Sequence, residues 1–286
     1  MRDLLKQQIM EFISDSLNKI TQRSLENEFS EKYSRQKREI RAAIQELVSA
    51  NELIYTNLFG CSFLEKSFNK PVRISERIVL KPPEIFYQPE ADDIVINICH
   101  GNAFGAGDHP TTRLALRGIE YLLKTIGVLA ATALDMGTGS GVLAIAAVKA
   151  GLVRYAIGTE IDPCAIAEAK ENVRLNHLED KIKIYRADSV PSAECQTFSL
   201  AQDLSLAKPD NETGSYFSLI LANLRYPTLK QLYPQITESL HKGGYAVFSG
   251  IKTDEVSDIL SLYTKKHFCC KWEKNEKGWA GLVLKK

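Results

Sequence analysis

Leu134-Asp135-Met136-Gly137-Thr138-Gly139-Ser140-Gly141 is the stretch whose reading decides the fold. A short apolar run, Ala131 to Leu134, leads into it and reads as a strand. Val142-Leu143-Ala144-Ile145-Ala146-Ala147-Val148 follows and reads as a buried helix. A glycine-rich turn between strand and helix lets a ligand rest against bare backbone at a helix N-terminus. The glycines alternate, and Val142 stands where a dinucleotide fingerprint places its last Gly or Ala. Asp135 lies just ahead of them. A carboxylate there repels a pyrophosphate but accepts hydrogen bonds from an ammonium group. Asp135 with Gly137, Thr138, Gly139 and Gly141 therefore suits a cationic nucleoside, and S-adenosyl-L-methionine, with its sulfonium and amino group, fits.

Downstream, strands and helices alternate. Tyr155 to Thr159 reads as a strand ending at Glu160, with Ile161 beside it. An acid about twenty residues past a glycine turn, at the next strand's end, is placed to hold ribose hydroxyls. Asp162-Pro163 opens a helix through Asn176, and Ile182 to Arg186 is a third strand. That strand ends at Ala187-Asp188, where Asp188 is either an acceptor for an adenine amine or a turn residue. Pro191 to Ser215 is a long polar connection, and Tyr216 to Ala222 is a fourth strand that stops at Asn223. A helix over Thr228 to Leu240, a turn at Lys242-Gly243-Gly244 and a strand over Tyr245 to Ser249 follow. A helix near Asp254 to Tyr263 and a hairpin of Phe268 to Glu273 with Trp279 to Leu284 close the chain. The alternation implies an α/β, doubly wound, mostly parallel sheet with its ligand at the carboxyl ends of the strands. Asp135, Glu160, Asp188 and Asn223 all fall at such ends.

Upstream, Ala103-Phe104-Gly105-Ala106-Gly107-Asp108-His109-Pro110-Thr111-Thr112 is a second glycine turn that feeds a helix running to about Lys124. The two glycine loops are expected to face one another across the ligand. Val72 to Leu80 and Ile94 to Ile98 read as strands, and Asn69-Lys70-Pro71 as a boundary. Residues 1–68 then form a separate unit of three helices and a hairpin, like a winged helix. Arg35, Lys37, Arg38 and Arg41 lie on or near the exposed side of its third helix, with Glu39 and Glu46 interleaved. That slight basic footprint favours protein docking or packing over nucleic-acid binding.

The 286 residues carry a net charge of +1, which implies no bulk electrostatic partner. The six cysteines form no CxxC pair, so no metal site is expected and a reducing cytoplasm suits them. Neither a secretion signal nor a membrane span is expected, because acids occupy the N-terminal segment and Asp135 interrupts the longest apolar region.

Taken together, Ala103 to Thr112, Leu134 to Ala147, Gly158-Thr159-Glu160-Ile161-Asp162-Pro163, Leu221-Ala222-Asn223, Ser249-Gly250-Ile251 and Trp279 resemble the PrmA family. These are bacterial methyltransferases of large-subunit ribosomal protein eleven. The likeness covers about Pro71 to Lys286. It implies a class I methyltransferase (Rossmann-like) fold, with a seven-stranded sheet whose last strand is antiparallel, and S-adenosyl-L-methionine as methyl donor. By position, Thr112, Gly137, Glu160 and Asn223 match the family's cofactor contacts, and Phe104 and Gly105 match its lid over the methionine end.

The chain departs from the family at Ala106, usually Thr; at Glu160, usually Asp; and at Leu224-Arg225-Tyr226, usually small or aliphatic. Residues 1–68 do not resemble the family's first domain. The resulting expectation is a cytoplasmic methyltransferase acting on a protein amine, a lysine or an N-terminus, with a ribosomal protein as candidate substrate. Asn223 would orient the amine, with His109 and Tyr226 secondary. The rivals are a methyltransferase of a nucleobase or glutamine amide, and a DNA-binding regulator with a cofactor-sensing domain.

Overall fold

The computed structural model describes residues 2–16, 18–58, 60–99, 101, 103–105, 107–129, 132–186 and 217–286. The chain divides into two compact units, Met1–Lys70 and Pro71–Lys286.

The smaller unit holds α1 (Arg2–Asp15), α2 (Gln22–Tyr33), α3 (Lys37–Ser49), β1 (Leu53–Leu58) and β2 (Cys61–Lys66), the two strands paired antiparallel. Its core is built from the helical spacings: Leu5, Ile9 and Ile13 of α1 bury against Leu25 and Phe29 of α2 and Ile40, Ile44 and Leu47 of α3. Phe12 meets Phe29 edge-on at 5.4 Å. Thr21 starts α2 by accepting from the Ser24 N–H at 3.1 Å, while the Ser24 hydroxyl accepts from the Thr21 N–H at 3.0 Å. Three of the four basic side chains expected on or near α3 are paired locally. Arg41 forks onto Glu26 at 2.9 and 3.0 Å, Lys37 donates to Asn27 at 2.6 Å, and Arg35 lies 3.9 Å from Glu39.

In the larger unit, β3 (Val72–Arg73), β4 (Ile78–Lys81) and β5 (Ile94–Asn97) form a small sheet in that order. The single strand expected over Val72 to Leu80 is a reversal instead. One Glu120 carboxylate oxygen accepts from the Ser75 hydroxyl at 2.9 Å and from the Arg77 N–H at 2.7 Å, and pins the turn. Glu120 belongs to α4 (Pro110–Thr125), so no local signal marks the reversal.

The main sheet takes β6 (Thr132–Met136), β7 (Tyr155–Glu160), β8 (Ile182–Arg186), β9 (Phe217–Asn223), β10 (Leu240–Lys252), β11 (Cys269–Glu276) and β12 (Trp279–Lys285). Their order is β11-β12-β10-β9-β6-β7-β8, and β12 alone in that sheet runs against its neighbours. This is the seven-stranded arrangement with an antiparallel last strand that the sequence led us to expect. Every residue of β6 is buried, as a central strand covered on both faces requires. One face packs Met136, Ile220 and Phe248 against Leu229, Ile236 and Ile259 from α7 (Tyr226–Gln231), α8 (Tyr233–Ser239) and α9 (Val256–Thr264).

The helix expected over Thr228 to Leu240 is split into α7 and α8 at Leu232. Pro234 has no N–H for the Lys230 carbonyl, and its ring crowds that carbonyl. The turn expected at Lys242-Gly243-Gly244 lies inside β10, where pairing with β9 shifts register between Leu240 and Tyr245. Two further helices follow the central strands, α5 (Val142–Lys149) out of the glycine turn after β6 and α6 (Pro163–Leu175) after β7. Among the described residues no helix is long and apolar enough to cross a membrane.

Candidate active site

A cavity of about 650 Å³ opens at the carboxyl ends of β6, β7 and β9. Its floor is the turn from Gly137 to Gly139, with Gly137 at φ 64° and Gly139 at φ 55°, a region that L side chains rarely enter. Gly139 has a second reason to be glycine. A Cβ there would stand 2.4 Å from the Phe104 carbonyl oxygen. That carbonyl accepts from the Ser140 N–H at 2.9 Å. The two glycine loops are thus hydrogen-bonded to each other, and both line the cavity.

Glu160, at the end of β7, closes one side. Its Oε2 accepts from the Gly139 N–H at 3.0 Å, and its Oε1 accepts from the N–H groups of Ile161 at 2.8 Å and Asp162 at 3.2 Å. Asp162 in turn caps α6, accepting from the Cys164 N–H at 2.9 Å. The opposite side is Asn223 at the end of β9. Its Nδ2 donates to the Thr112 hydroxyl at 3.4 Å, while its Oδ1 is buried with no hydrogen-bond partner. An unpartnered buried acceptor in a cavity wall is a place for a ligand N–H.

Asp135 does not reach the cavity. It is 1% exposed and turned into the glycine turn, where Oδ2 accepts from the Thr138 hydroxyl at 2.6 Å and the Ala144 N–H at 3.1 Å. Burial pushes its carboxyl up to about 6, against the pull of those two donors. Gly141, the N-cap of α5, and Thr112, fully buried, also stand behind the wall. Of the residues singled out in the sequence, Phe104, Gly105, Gly137, Thr138, Gly139, Glu160, Ile161 and Asn223 line the cavity. Asp188 lies outside the described residues, as does Ala106. Tyr226 packs against the core beneath α7 rather than in the cavity.

The mouth carries a row of rings. Phe104 is 52% exposed, its ring 5.2 Å from that of His109, which is 5.2 Å from that of Trp279. The Arg225 guanidinium lies 5.4 Å from the Trp279 ring centre. His109 is the N-cap of α4, its Nδ1 accepting from the Thr111 N–H at 3.3 Å. That bond leaves Nε2 as the protonated nitrogen of the neutral ring. Burial pushes the imidazolium pKa down.

One part of the site escapes sequence reasoning. Arg113, on α4, donates to the carbonyls of Gly107 at 3.1 Å and Asp108 at 2.6 Å, in the first glycine loop. Glu276, at the end of β11, holds Arg113 at 2.5 Å and Arg117 at 2.7 Å. The C-terminal hairpin thereby clamps a loop some 160 residues earlier in the chain. Such a distant pairing leaves no signature in local spacing.

Known proteins place this arrangement in a family. The family model described as ribosomal protein L11 methyltransferase (PrmA) matches residues 62–286. A ribosomal protein L11 methyltransferase of Heliobacterium modesticaldum is 32% identical over 221 residues, 77% of this chain and 62% of that protein. One from Geobacter metallireducens is 34% identical over 213 residues, 74% of this chain and 62% of that protein. The chain thus spans about three fifths of the length of the curated relatives it matches. The crystal structure of a ribosomal protein L11 methylase from Lactobacillus delbrueckii subsp. bulgaricus is similar with a TM-score of 0.61 at 29% identity. That likeness covers 75% of this chain and 97% of the other. With a glycine-turn cavity at the strand ends and a seven-stranded sheet of this order, the chain belongs to the PrmA family of ribosomal protein L11 methyltransferases, and its larger unit has the class I methyltransferase fold.

Proposed function

We propose that this chain transfers a methyl group from S-adenosyl-L-methionine to an amine of a protein, a lysine or an N-terminus, with a ribosomal protein as substrate, in the cytoplasm. The observation that carries the reading is the Asn223 Oδ1, a buried acceptor without a donor in the wall of a cavity floored by the glycine turn. The cofactor fits the residues present. Glu160 and Asp162 are the charged residues lining the β7 side, which suits a sulfonium and an ammonium and opposes a pyrophosphate. The Glu160 oxygens already accept three backbone N–H groups, yet a carboxylate offers about four lone-pair sites, so capacity remains on Oε2 for a ribose hydroxyl. Phe104 and Gly105 cover the methionine end. Asp135 and Thr112 act from behind, the first by fixing the turn and the second by holding the Asn223 amide.

When bound, the cofactor supplies an electrophilic methyl carbon on positively charged sulfur. The chain's own task is to deliver a neutral amine in line with it, since proximity and alignment are worth several kcal/mol of barrier. A lysine amine, ordinarily near 10.4, loses its proton more easily once desolvated. Asn223 then orients the amine by accepting one of its N–H bonds. His109 is a poor base, because Nδ1 is engaged with Thr111 and Nε2 carries the proton.

We assign residues 1–68, as a winged-helix-like unit, to docking of the protein substrate. The local pairing of Arg35, Lys37 and Arg41 disfavours the DNA-binding alternative. The test is methyl-tritiated S-adenosylmethionine with unmodified large ribosomal subunits, protein and RNA together, for the full chain and for a chain starting at Pro71. Label in lysine or an N-terminal amine is expected from the full chain. Label confined to RNA, or no transfer despite bound cofactor, would reject the protein-amine reading. Equal activity of the shortened, folded chain would reject the docking role.

A further inference from the structure

The cavity has two sides of opposite charge. The lining residues at the end of β7 include the acids Glu160 and Asp162. The lining residues on the β9 and β12 side include Asn223, Leu224, Arg225 and Trp279, and Arg225 is the permanent cation among them. Arg225 is exposed and stacked on Trp279 at 5.4 Å. Among the described residues no carboxylate pairs with it. Arg113 and Arg117 differ on this point, since both are engaged by Glu276. An indole face fixes a guanidinium without neutralising it. The N–H fork of an arginine matches the two oxygens of a carboxylate. His109, the other basic side chain at the mouth, is pushed toward its neutral form by burial.

We propose, on the methyltransferase reading above, that Arg225 is a specificity-determining residue that reads a carboxylate on the methyl-accepting peptide. The amine that is methylated then lies beside an aspartate, a glutamate or a C-terminal carboxylate. The polarity of the cavity supports this division. A cationic cofactor matches the acidic side, and an anionic flank of the acceptor matches the Arg225 side.

The test uses the full chain, methyl-tritiated S-adenosylmethionine and short capped peptides with one lysine flanked by Glu, Gln or Arg. KM and kcat are read for each peptide, and cofactor affinity is read by calorimetry. The Glu-flanked peptide is expected to have a KM about three- to fivefold below that of the Gln-flanked one, the upper size of one exposed charge pair. Arg225→Gln should raise the KM of the Glu-flanked peptide to that of the Gln-flanked one, with kcat within about twofold and cofactor affinity kept, as for loss of uniform binding. Arg225→Lys should recover part of the preference, and Arg225→Glu should shift it to the Arg-flanked peptide. The proposal is overturned if Arg225→Gln keeps the preference, or if the wild-type enzyme methylates all three peptides alike. It is equally overturned if the enzyme binds cofactor but labels none of them, or labels an RNA oligonucleotide instead. Failure to bind cofactor at all is a different result, and sinks the methyltransferase reading itself.

Discussion

The two units treat their polar groups differently. In Met1–Lys70, charged side chains pair within the unit: Arg41 with Glu26, Lys6 with Glu46, Lys19 with Glu65 and Lys70 with Glu52. Among the described residues, none of that unit's buried side-chain oxygens lacks a partner, whereas Pro71–Lys286 keeps several, including Asp135 Oδ1, Ser140 Oγ and Asn223 Oδ1 around the glycine turn. A buried acceptor without a donor costs about 1–3 kcal/mol. A fold tolerates that cost where a ligand completes the bonding or where a charge is under constraint. The smaller unit is a body with its polar chemistry closed, and the larger one leaves open acceptors, three of them gathered around the glycine turn.

The largest effect is expected where that open place depends on bare backbone. Gly139→Val would drive a side chain into the Phe104 carbonyl and separate the two glycine loops. Cofactor affinity should fall about 100-fold or more, the equivalent of roughly 3 kcal/mol. Calorimetry on the folded variant checks it, and near-normal affinity would break the comparison outright.

Next comes the constraint on Asp135, whose carboxyl is raised by burial from 3.8 to about 6. A raised folded pKa means that the native state binds the proton more tightly. The stability this confers is full below pH 4 or so and is lost as pH rises through about 6. Asp135→Asn does not titrate, so its stability relative to wild type should improve from acid to neutral pH, by at most about 3 kcal/mol. Denaturant titrations between acid and neutral pH test this. A constant difference across that range would show the carboxyl to be unconstrained.

A smaller change should follow from loosening the clamp. Glu276→Gln leaves Arg113 and Arg117 without their carboxylate, and with it the hold on the Gly107 and Asp108 carbonyls. Methyl transfer should drop about tenfold in kcat/KM, near 1.4 kcal/mol of barrier, with thermal stability little altered. Unchanged kinetics would mean that the loop holds its place through the Ser140–Phe104 and Ala103–Glu168 bonds without the clamp.

What was legible in the sequence was local. Alternating glycines between an apolar strand and an apolar helix, and polar residues at strand ends, located the cavity and most of its walls, since such patterns reflect chain geometry over a few residues. The direction of a side chain was less legible. Asp135 was expected to face the ligand, but its place on a fully buried strand turns it into the loop. Contacts across long separations were not legible at all, as with Glu276 on Arg113 and Glu120 on the turn at Ser75 to Arg77. Pro234 did announce the break between α7 and α8, but the apolar spacing on either side outweighs it when read as a single helix.

The central claim is that the open chemistry of the larger unit is a site for a cationic nucleoside. Isothermal titration of the full chain with S-adenosylhomocysteine and, separately, with NAD tests it most directly. The account predicts one saturable site for S-adenosylhomocysteine and no binding of NAD. Saturable binding of NAD, or no heat and no displacement with S-adenosylhomocysteine, would contradict it.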